Sequence, residues 1–321
     1  MKPIVWYGVV LCCLLAGCRP DKPSGPAQKE KPAAADCGLV PLGDPFILLS
    51  GGTYYAYGTH SAEGIEVYRS DDLKTWRYHG LALRKDDVWA DRWFWAPEVY
   101  EWNGTYYMYY SADEHICAAT SDSPLGPFRQ AEKKPMWPGE KCIDHSLFVD
   151  TDGTPYLFFV RFNDGNNIWM AELEPDRVTL RPETMRPCIR VSQPWEEVWP
   201  RVNEAPFVIR RNGTYYLTYS ANSYESPMYG VGCAVAADIR GEWTKYDENP
   251  LLQKPGALAG VGHSALFTDK AGQLRIVFHA HRDSNHVHPR AMYIGTVRFE
   301  NAGGTERMRI GSGYETPRLL K

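Results

Sequence analysis

Five segments of the chain share one pattern of polar and apolar positions: a turn built around a glycine, then a run dominated by aromatic and β-branched residues. The five turn glycines are Gly52, Gly104, Gly153, Gly213 and Gly272. A glycine turn followed by such a run is typical of a β-hairpin. The glycines are separated by 52, 49, 60 and 59 residues, and no segment has a sustained helical period. Repeats of this length, each with several strands, predict an all-β fold, a five-bladed β-propeller.

A second marker recurs at matching places in three of the repeats. Segments 70–76, 120–128 and 237–243 each combine Ser, Asp, Gly or Pro with a following aromatic residue, as in a turn that leads into an outer strand. Two separate markers with one period indicate that each repeat is one blade. We therefore assign residues 38–321 to a single propeller domain.

A third regularity concerns chemistry. Residues eight or nine positions before the turn glycines form one set: Asp44, Asp144, Glu204, His263 and, in the second repeat, Trp95 or Ala96. The first strand of each propeller blade lines the central channel, so equivalent positions converge near the axis. The sequence therefore predicts one axial pocket that holds three carboxylates, an imidazole and an indole.

Composition narrows the possible functions. Of the 321 residues, 13% are aromatic, which suits a β-rich core and also sugar-stacking surfaces. The net charge is -4 and no basic run occurs, so nothing indicates nucleic-acid binding.

The N-terminus has the features of an export signal. Lys2 precedes an apolar stretch over 4–16, which is shorter than the roughly 20 residues of a membrane-spanning helix. The stretch ends in Leu-Ala-Gly-Cys, which resembles the lipobox of bacterial lipoproteins and implies lipidation of Cys18; an ordinary signal peptide is the alternative. We predict a signal peptide over 1–18, a tether over 19–37 and a lipid anchor to the outer membrane. The domain is expected on either the periplasmic or the cell-surface side of that membrane.

Five cysteines lie beyond that signal: Cys37, Cys117, Cys142, Cys188 and Cys233. Their number is odd and no spacing selects a disulfide pairing or a zinc site. We expect them to behave as small buried residues.

Carboxylates that face each other across a pocket meet the requirement for hydrolysis of a glycosidic bond. One protonated acid donates to the leaving oxygen, while one ionised carboxylate activates water or attacks directly. Burial and a neighbouring negative charge both raise the pKa of the acid, as this chemistry needs at neutral pH.

The residues around these positions resemble the blade-start motifs of glycoside hydrolase family 43. The motifs are Gly-Asp-Pro at 43–45, Trp-Ala-Pro-Glu at 95–98, Ile-Asp-His-Ser-Leu-Phe at 143–148, Asn-Glu-Ala-Pro at 203–206 and Gly-His-Ser at 262–264. The resemblance extends from about residue 38 to 300. It implies a five-bladed propeller that hydrolyses arabinose- or xylose-containing glycans with inversion. Carried over by position, Asp44 is the general base, Glu204 the general acid, and Asp144 the residue that raises the pKa of the acid and positions it.

The histidines leave two questions open. The resemblance implies that His263 helps to hold a calcium ion through water; the alternative is a hydrogen bond to Asp144 or to ordered water. His279, His281, His286 and His288 resemble a metal site only by composition, and we expect a loop at the pocket rim there. No organic cofactor is expected.

Three further assignments concern the pocket walls. Trp95 is predicted to stack on the sugar ring. Arg290 is predicted to reach the pocket and to bond a substrate hydroxyl or Glu204. The insert over 188–202 is a candidate wall.

The predicted activity is that of a monomeric, exo-acting α-L-arabinofuranosidase on oligo- or polysaccharide. A β-D-xylosidase and an exo-galactan-cleaving hydrolase are alternatives, and exo and endo action are not distinguished by sequence. A non-catalytic glycan-binding lipoprotein is the alternative of another class, but such a protein has no need of opposed acid and base carboxylates.

Overall fold

The computed structural model describes residues 38–199 and 201–320, which form five antiparallel-strand blades around one axis. The five-bladed β-propeller predicted from the repeats is confirmed. Cys18 and the predicted signal and tether segments lie outside the described residues. Within the described part of the chain, no helix is long and apolar enough to cross a membrane.

The strands follow the repeats in chain order. Blade one contains β1 (Gly38–Leu39), β2 (Gly43–Ser50), β3 (Thr53–Thr59), β4 (Gly64–Ser70) and β5 (Thr75–Arg84). Blade two contains β6 (Trp95–Trp102), β7 (Thr105–Ala112) and β8 (His115–Ser121), and blade three contains β9 (Cys142–Val149), β10 (Pro155–Phe162), β11 (Asn166–Glu172) and β12 (Arg186–Ile189). Blade four contains β13 (Asn203–Arg211), β14 (Thr214–Ala221), β15 (Gly230–Ala236) and β16 (Thr244–Lys245). Blade five contains β17 (Gly262–Thr268), β18 (Leu274–Ala280), β19 (Ala291–Ala302) and β20 (Thr305–Glu315), and β21 (Arg318–Leu320) returns to blade one. Within the described residues, short 3-10 helices lie at Lys85–Asp87, Pro182–Thr184 and Pro194–Glu196.

Blade one closes the ring. Its sheet has the order β1-β21-β5-β4-β3-β2, so strands from both ends of the described chain complete its outer edge. β21 runs parallel to β5, and β1 pairs antiparallel with β21. Blade two has three strands, and the outer strand expected near 128 is reduced to isolated bridges, Leu83 with Phe128 and Thr120 with Arg129.

Aromatic side chains fill the space between neighbouring blades. Phe46 of blade one packs against Tyr100 of blade two with ring centroids 5.4 Å apart, and Tyr216 of blade four meets Phe299 of blade five at 5.1 Å. Buried aromatic pairs of this kind add stabilisation beyond the area they bury. Aromatic residues thus contribute to the core between the blades.

The innermost strands β2, β6, β9, β13 and β17 contact one another in a ring, and each carries a bulge near its start. One residue in each strand has left-handed backbone angles: Asp44, Ala96, Asp144, Ala205 and His263, with φ between 44° and 52°. Such angles are uncommon for residues other than glycine and concentrate at functional sites. The bulges re-aim successive side chains towards one end of the axis.

The cysteines of the described residues are not cross-linked. Cys117, Cys142 and Cys233 are buried and Cys188 is half-buried, and all four are free thiols.

Candidate active site

A cavity of ≈ 380 Å³ opens where the first strands of the blades begin. Its lining residues are Asp44, Thr59, Trp95, Ile143, Asp144, Asn166, Val202, Glu204, Ser223, Tyr224, His263, His288 and Arg290. All six pocket residues selected from the sequence are therefore brought together here.

Two backbone arrangements at the bulges bring these side chains into the pocket. Asp44, Asp144 and His263 occupy the left-handed position of their bulges. In blades two and four an alanine takes that position, and the pocket side chain comes one residue earlier, as Trp95 and Glu204.

Asp44 is held as an ionised carboxylate. Arg290 binds this carboxylate in a bidentate manner, with Nη1 donating to Oδ1 at 2.6 Å and Nη2 donating to Oδ2 at 3.0 Å. His263 Nδ1 lies 3.2 Å from Oδ1. Burial alone would raise the pKa of Asp44, but the charge of Arg290, followed by that of His263, holds this pKa well below its ordinary value. Arg290 therefore reaches the pocket as expected, and its carboxylate partner is Asp44 rather than Glu204.

The surroundings of Glu204, unlike those of Asp44, favour the protonated carboxyl group. Tyr229 donates its hydroxyl to Oε1 at 2.8 Å, and Asn166 donates its amide to Oε2 at 3.2 Å. Burial raises the pKa of Glu204 to about 7; these two donors oppose the rise, and the charge of Asp44 adds to it. Neither donor carries a repeat signature, so sequence reasoning missed both.

Asp144 shares this environment. Its carboxylate accepts the amide N–H of Ala205. Burial, then the charges of Glu204 and Asp44, raise the pKa of Asp144 well above its ordinary value. Asp144 and Glu204 together therefore retain a proton near neutral pH, while Asp44 has none. An ionised carboxylate and a proton-holding pair share one pocket.

His263 is buried, and burial lowers its pKa. Its Nδ1 is 3.2 Å from Asp44 and 3.9 Å from Asp144. Calcium takes six to eight oxygen ligands. Among the residues described here, no group of three His, Cys, Asp or Glu side chains could hold a metal ion. The side chains alone therefore do not form a calcium site, and the water-mediated ion at His263 stays a prediction.

The His-rich tract divides between a strand and a loop. His281, His286 and His288 lie in the expected loop, and His288 lines the pocket. The loop expectation was wrong for His279, which belongs to β18 and is fully buried. There its Nδ1 accepts the backbone N–H of Asp44 at 3.1 Å. Burial lowers the pKa of His279 to about 3.

Trp95 forms part of the pocket wall, and a second indole supports it. The ring of Trp93 stacks on Trp95 at 5.6 Å with an interplanar angle of 13°. Trp93 itself is exposed. Among the described residues of the insert over 188–202, only Val202 lines the pocket, and Trp195 instead packs against Tyr219 inside blade four.

Comparisons with known proteins place the chain in a family. The model of the family described as "Glycosyl hydrolases family 43" matches residues 40–304. The chain is 26% identical over 287 residues to a β-D-galactofuranosidase, XynD, of Aspergillus niger, covering 81% of this chain and 80% of that protein. It is 23% identical over 291 residues to an extracellular exo-α-(1→5)-L-arabinofuranosidase, ArbA, of Cellvibrio japonicus, covering 78% and 82%. A solved structure named as an endo-1,4-β-xylanase of Bacteroides thetaiotaomicron superposes with a TM-score of 0.86 at 44% identity, covering 90% of this chain and all of that one.

Proposed function

The chain belongs to glycosyl hydrolase family 43, and from that premise we propose that it is an inverting, exo-acting α-L-arabinofuranosidase. Its being a glycoside hydrolase follows from the family. The observation that carries the mechanism is that one cavity holds Asp44, bound through both carboxylate oxygens by Arg290, together with Asp144 and Glu204, whose pKa values are raised by burial.

In the proposed reaction Asp44 is the general base. It accepts a proton from water as the water oxygen bonds to the anomeric carbon. Glu204 is the general acid and gives its proton to the glycosidic oxygen as the bond to that carbon breaks. Water attacks on the face opposite to the leaving group, so the configuration is inverted. Asp144 is the proposed modulator of the acid: the charge of Glu204 raises the pKa of Asp144, and because this repulsion is mutual the pair disfavours ionisation of both carboxyl groups.

The size of the cavity supports exo action on one terminal sugar. Ligand pockets span about 300–1,000 Å³, and this cavity of ≈ 380 Å³ lies at the small end of that range. A furanose is supported by the relatives, since one is named a β-D-galactofuranosidase and another an α-L-arabinofuranosidase. These two glycosides share the arrangement of groups around their five-membered rings.

A β-D-xyloside is the second candidate substrate. The observation in its favour is the 44% identity to a structure named as an endo-1,4-β-xylanase. The same acid and base residues would serve either sugar, so the two candidates differ in which sugar ring the pocket binds.

The test is sugar release from aryl α-L-arabinofuranoside and aryl β-D-xyloside. We expect arabinose to be released with a higher kcat/KM than xylose. The double variant Asp44→Asn/Glu204→Gln is the inactive control. Preferential xylose release would select the second candidate. No release from either glycoside by the folded protein would contradict the proposal.

The pH dependence of kcat/KM should report on Glu204. The acid must be protonated, so activity falls as the pH rises through about 7. Tyr229 donates to the carboxylate and thereby lowers the pKa of Glu204, so Tyr229→Phe should move this falling limb to higher pH.

The matched control is Tyr216→Phe. It removes a tyrosine hydroxyl that donates to the Glu306 carbonyl, away from the pocket, and should leave the limb in place. A limb that stays in place in Tyr229→Phe, or moves to lower pH, would contradict the assignment of Glu204 as the acid.

A further inference from the structure

We infer that His279 is a positioning residue: its imidazole fixes the backbone of Asp44 and packs on Tyr229, and so keeps the base and the acid in their positions relative to each other. The inference rests on the proposed function and goes beyond it by assigning a residue that touches neither substrate nor reacting atoms.

The first observation is a ring of equivalent hydrogen bonds between blades. At three junctions a hydroxyl on the second strand of one blade accepts the bulge amide of the next blade. Thr59 Oγ1 accepts the N–H of Ala96 at 2.9 Å, Ser111 Oγ accepts that of Asp144 at 3.1 Å, and Ser220 Oγ accepts that of His263 at 2.8 Å. Each hydroxyl residue follows its turn glycine by seven positions.

His279 occupies the same position in blade five, seven residues after Gly272. Its Nδ1 accepts the N–H of Asp44 at 3.1 Å and so closes the ring at blade one. The remaining junction lacks an acceptor of this kind: Val160 stands there, and the N–H of Ala205 goes to the Asp144 carboxylate instead. A histidine therefore replaces the hydroxyl at the one junction whose amide belongs to the proposed base.

The hydrogen bond also fixes the state of the imidazole. A nitrogen that accepts an N–H must present a lone pair, so the inference requires Nδ1 to carry no proton and the neutral ring to be protonated on Nε2. Arg290 Nη1 lies 3.5 Å from both ring nitrogens. Nδ1 lies 3.3 Å from Asp44 Oδ1, and Arg290 supplies the positive charge at that carboxylate. His279 thus orients the left-handed Asp44 without adding a second cation.

The second observation links this ring to the acid. The flat face of His279 stacks on Tyr229 with centroids 5.7 Å apart and an interplanar angle of 15°. Tyr229 in turn donates to Glu204 at 2.8 Å. Tyr229 also lies against Gly262, where a β-carbon would overlap its ring. A hydroxyl side chain has no face for this stack, so the histidine contacts both the Asp44 backbone and the partner of Glu204.

The kinetic test compares His279→Leu with His279→Asn on the glycoside that the wild type hydrolyses best. Asparagine places an acceptor near the position of Nδ1, whereas leucine has none. A misplacement of about 1 Å at a reacting group costs on the order of 10²-fold in rate. We expect His279→Leu to lose about that factor in kcat with little change in KM, and His279→Asn to recover most of it.

Ser220→Ala is the comparison variant, because it breaks the equivalent bond at the blade-five junction. It should lower the melting temperature about as much as His279→Leu while losing far less kcat. A folded His279→Asn variant as inactive as His279→Leu, or an unimpaired His279→Leu, would overturn the inference. If His279→Leu does not fold, His279→Asn alone decides: high kcat supports the inference and low kcat overturns it.

A second measurement needs no substrate and so separates this inference from the proposed function. Imidazole ¹⁵N spectra of histidine-labelled wild type and His279→Asn identify the His279 signals. We expect a neutral ring with Nε2 protonated at neutral pH. A proton on Nδ1, or a doubly protonated ring, would overturn the inference even if the glycosidase assays succeed, and the expected tautomer would support it even if they fail.

Discussion

Glu204→Gln should lower kcat/KM by about 10²–10⁴-fold on a glycoside with a poor leaving group, such as an alkyl arabinofuranoside, because general acid catalysis contributes about that factor. Glutamine keeps the shape of the side chain and its contact with Tyr229, but has no acidic proton to give. With a 2,4-dinitrophenyl leaving group, most of the loss should disappear, because that phenolate departs without protonation. Steady-state rates on the two substrates measure the difference.

Asp44→Asn is the matched control for this experiment. The base is needed whichever group leaves, so its loss should be equally severe on both substrates. If the Glu204→Gln variant were impaired equally on both leaving groups, Glu204 would not be the proton donor, and Asp144 would be the next residue to test.

Glu196→Gln should lower the free energy of unfolding by about 3–5 kcal/mol, because it leaves a buried lysine without its counter-charge. Glu196 is fully buried and meets Lys245 Nζ at 2.6 and 2.8 Å. It also accepts the hydroxyl of Tyr219 at 2.7 Å. Lys245 donates further to Asn203, the residue before Glu204, at 2.8 Å. The pair thus anchors the insert over 188–202 to blade four beside the active site.

The same change at Glu306 provides the control. Glu306 pairs with Arg211 at 3.0 Å, where the side chains are 28% and 46% exposed. Exposed pairs contribute about 0–1 kcal/mol, so Glu306→Gln should have a small effect. Denaturant unfolding of both variants gives the comparison. Equal losses would show that burial of the Glu196–Lys245 pair does not matter.

The repeats explain why so much of this site could be predicted from the sequence. In a propeller, residues at closely similar offsets from the turn glycines lie at equivalent places around the axis, so Asp44, Asp144 and His263, at offsets of eight or nine, could be placed together without coordinates. The same offset of nine positions selects Asp144, Glu204 and His263. It does not show that Glu204 precedes the left-handed residue of its bulge, whereas Asp144 and His263 occupy that position.

Contacts made outside the repeat register could not be predicted. Tyr229, which donates to Glu204, directly precedes β15, and Asn166, the second donor, is the first residue of β11. Both residues stand at the start of the third strand of their blades, but 13 residues separate Asn166 from Gly153 and 16 separate Tyr229 from Gly213, so no constant offset marks them in the sequence. Likewise, nothing in the chain indicates that Arg290 pairs with Asp44 across 246 positions.

His279 is different, because a signal was present. Thr59, Ser111, Ser220 and His279 all stand seven residues after a turn glycine. Reading this second register would have placed His279 in a strand beside the axis rather than in a loop.

The most direct test of the account is the anomeric form of the first sugar released by the wild-type protein, followed by ¹H NMR before mutarotation. Inversion by Asp44 and Glu204 predicts that an α-L-arabinofuranoside yields β-L-arabinofuranose first. Initial release of the α-anomer would show retention, and would contradict the assignment of Asp44 as a base acting through water.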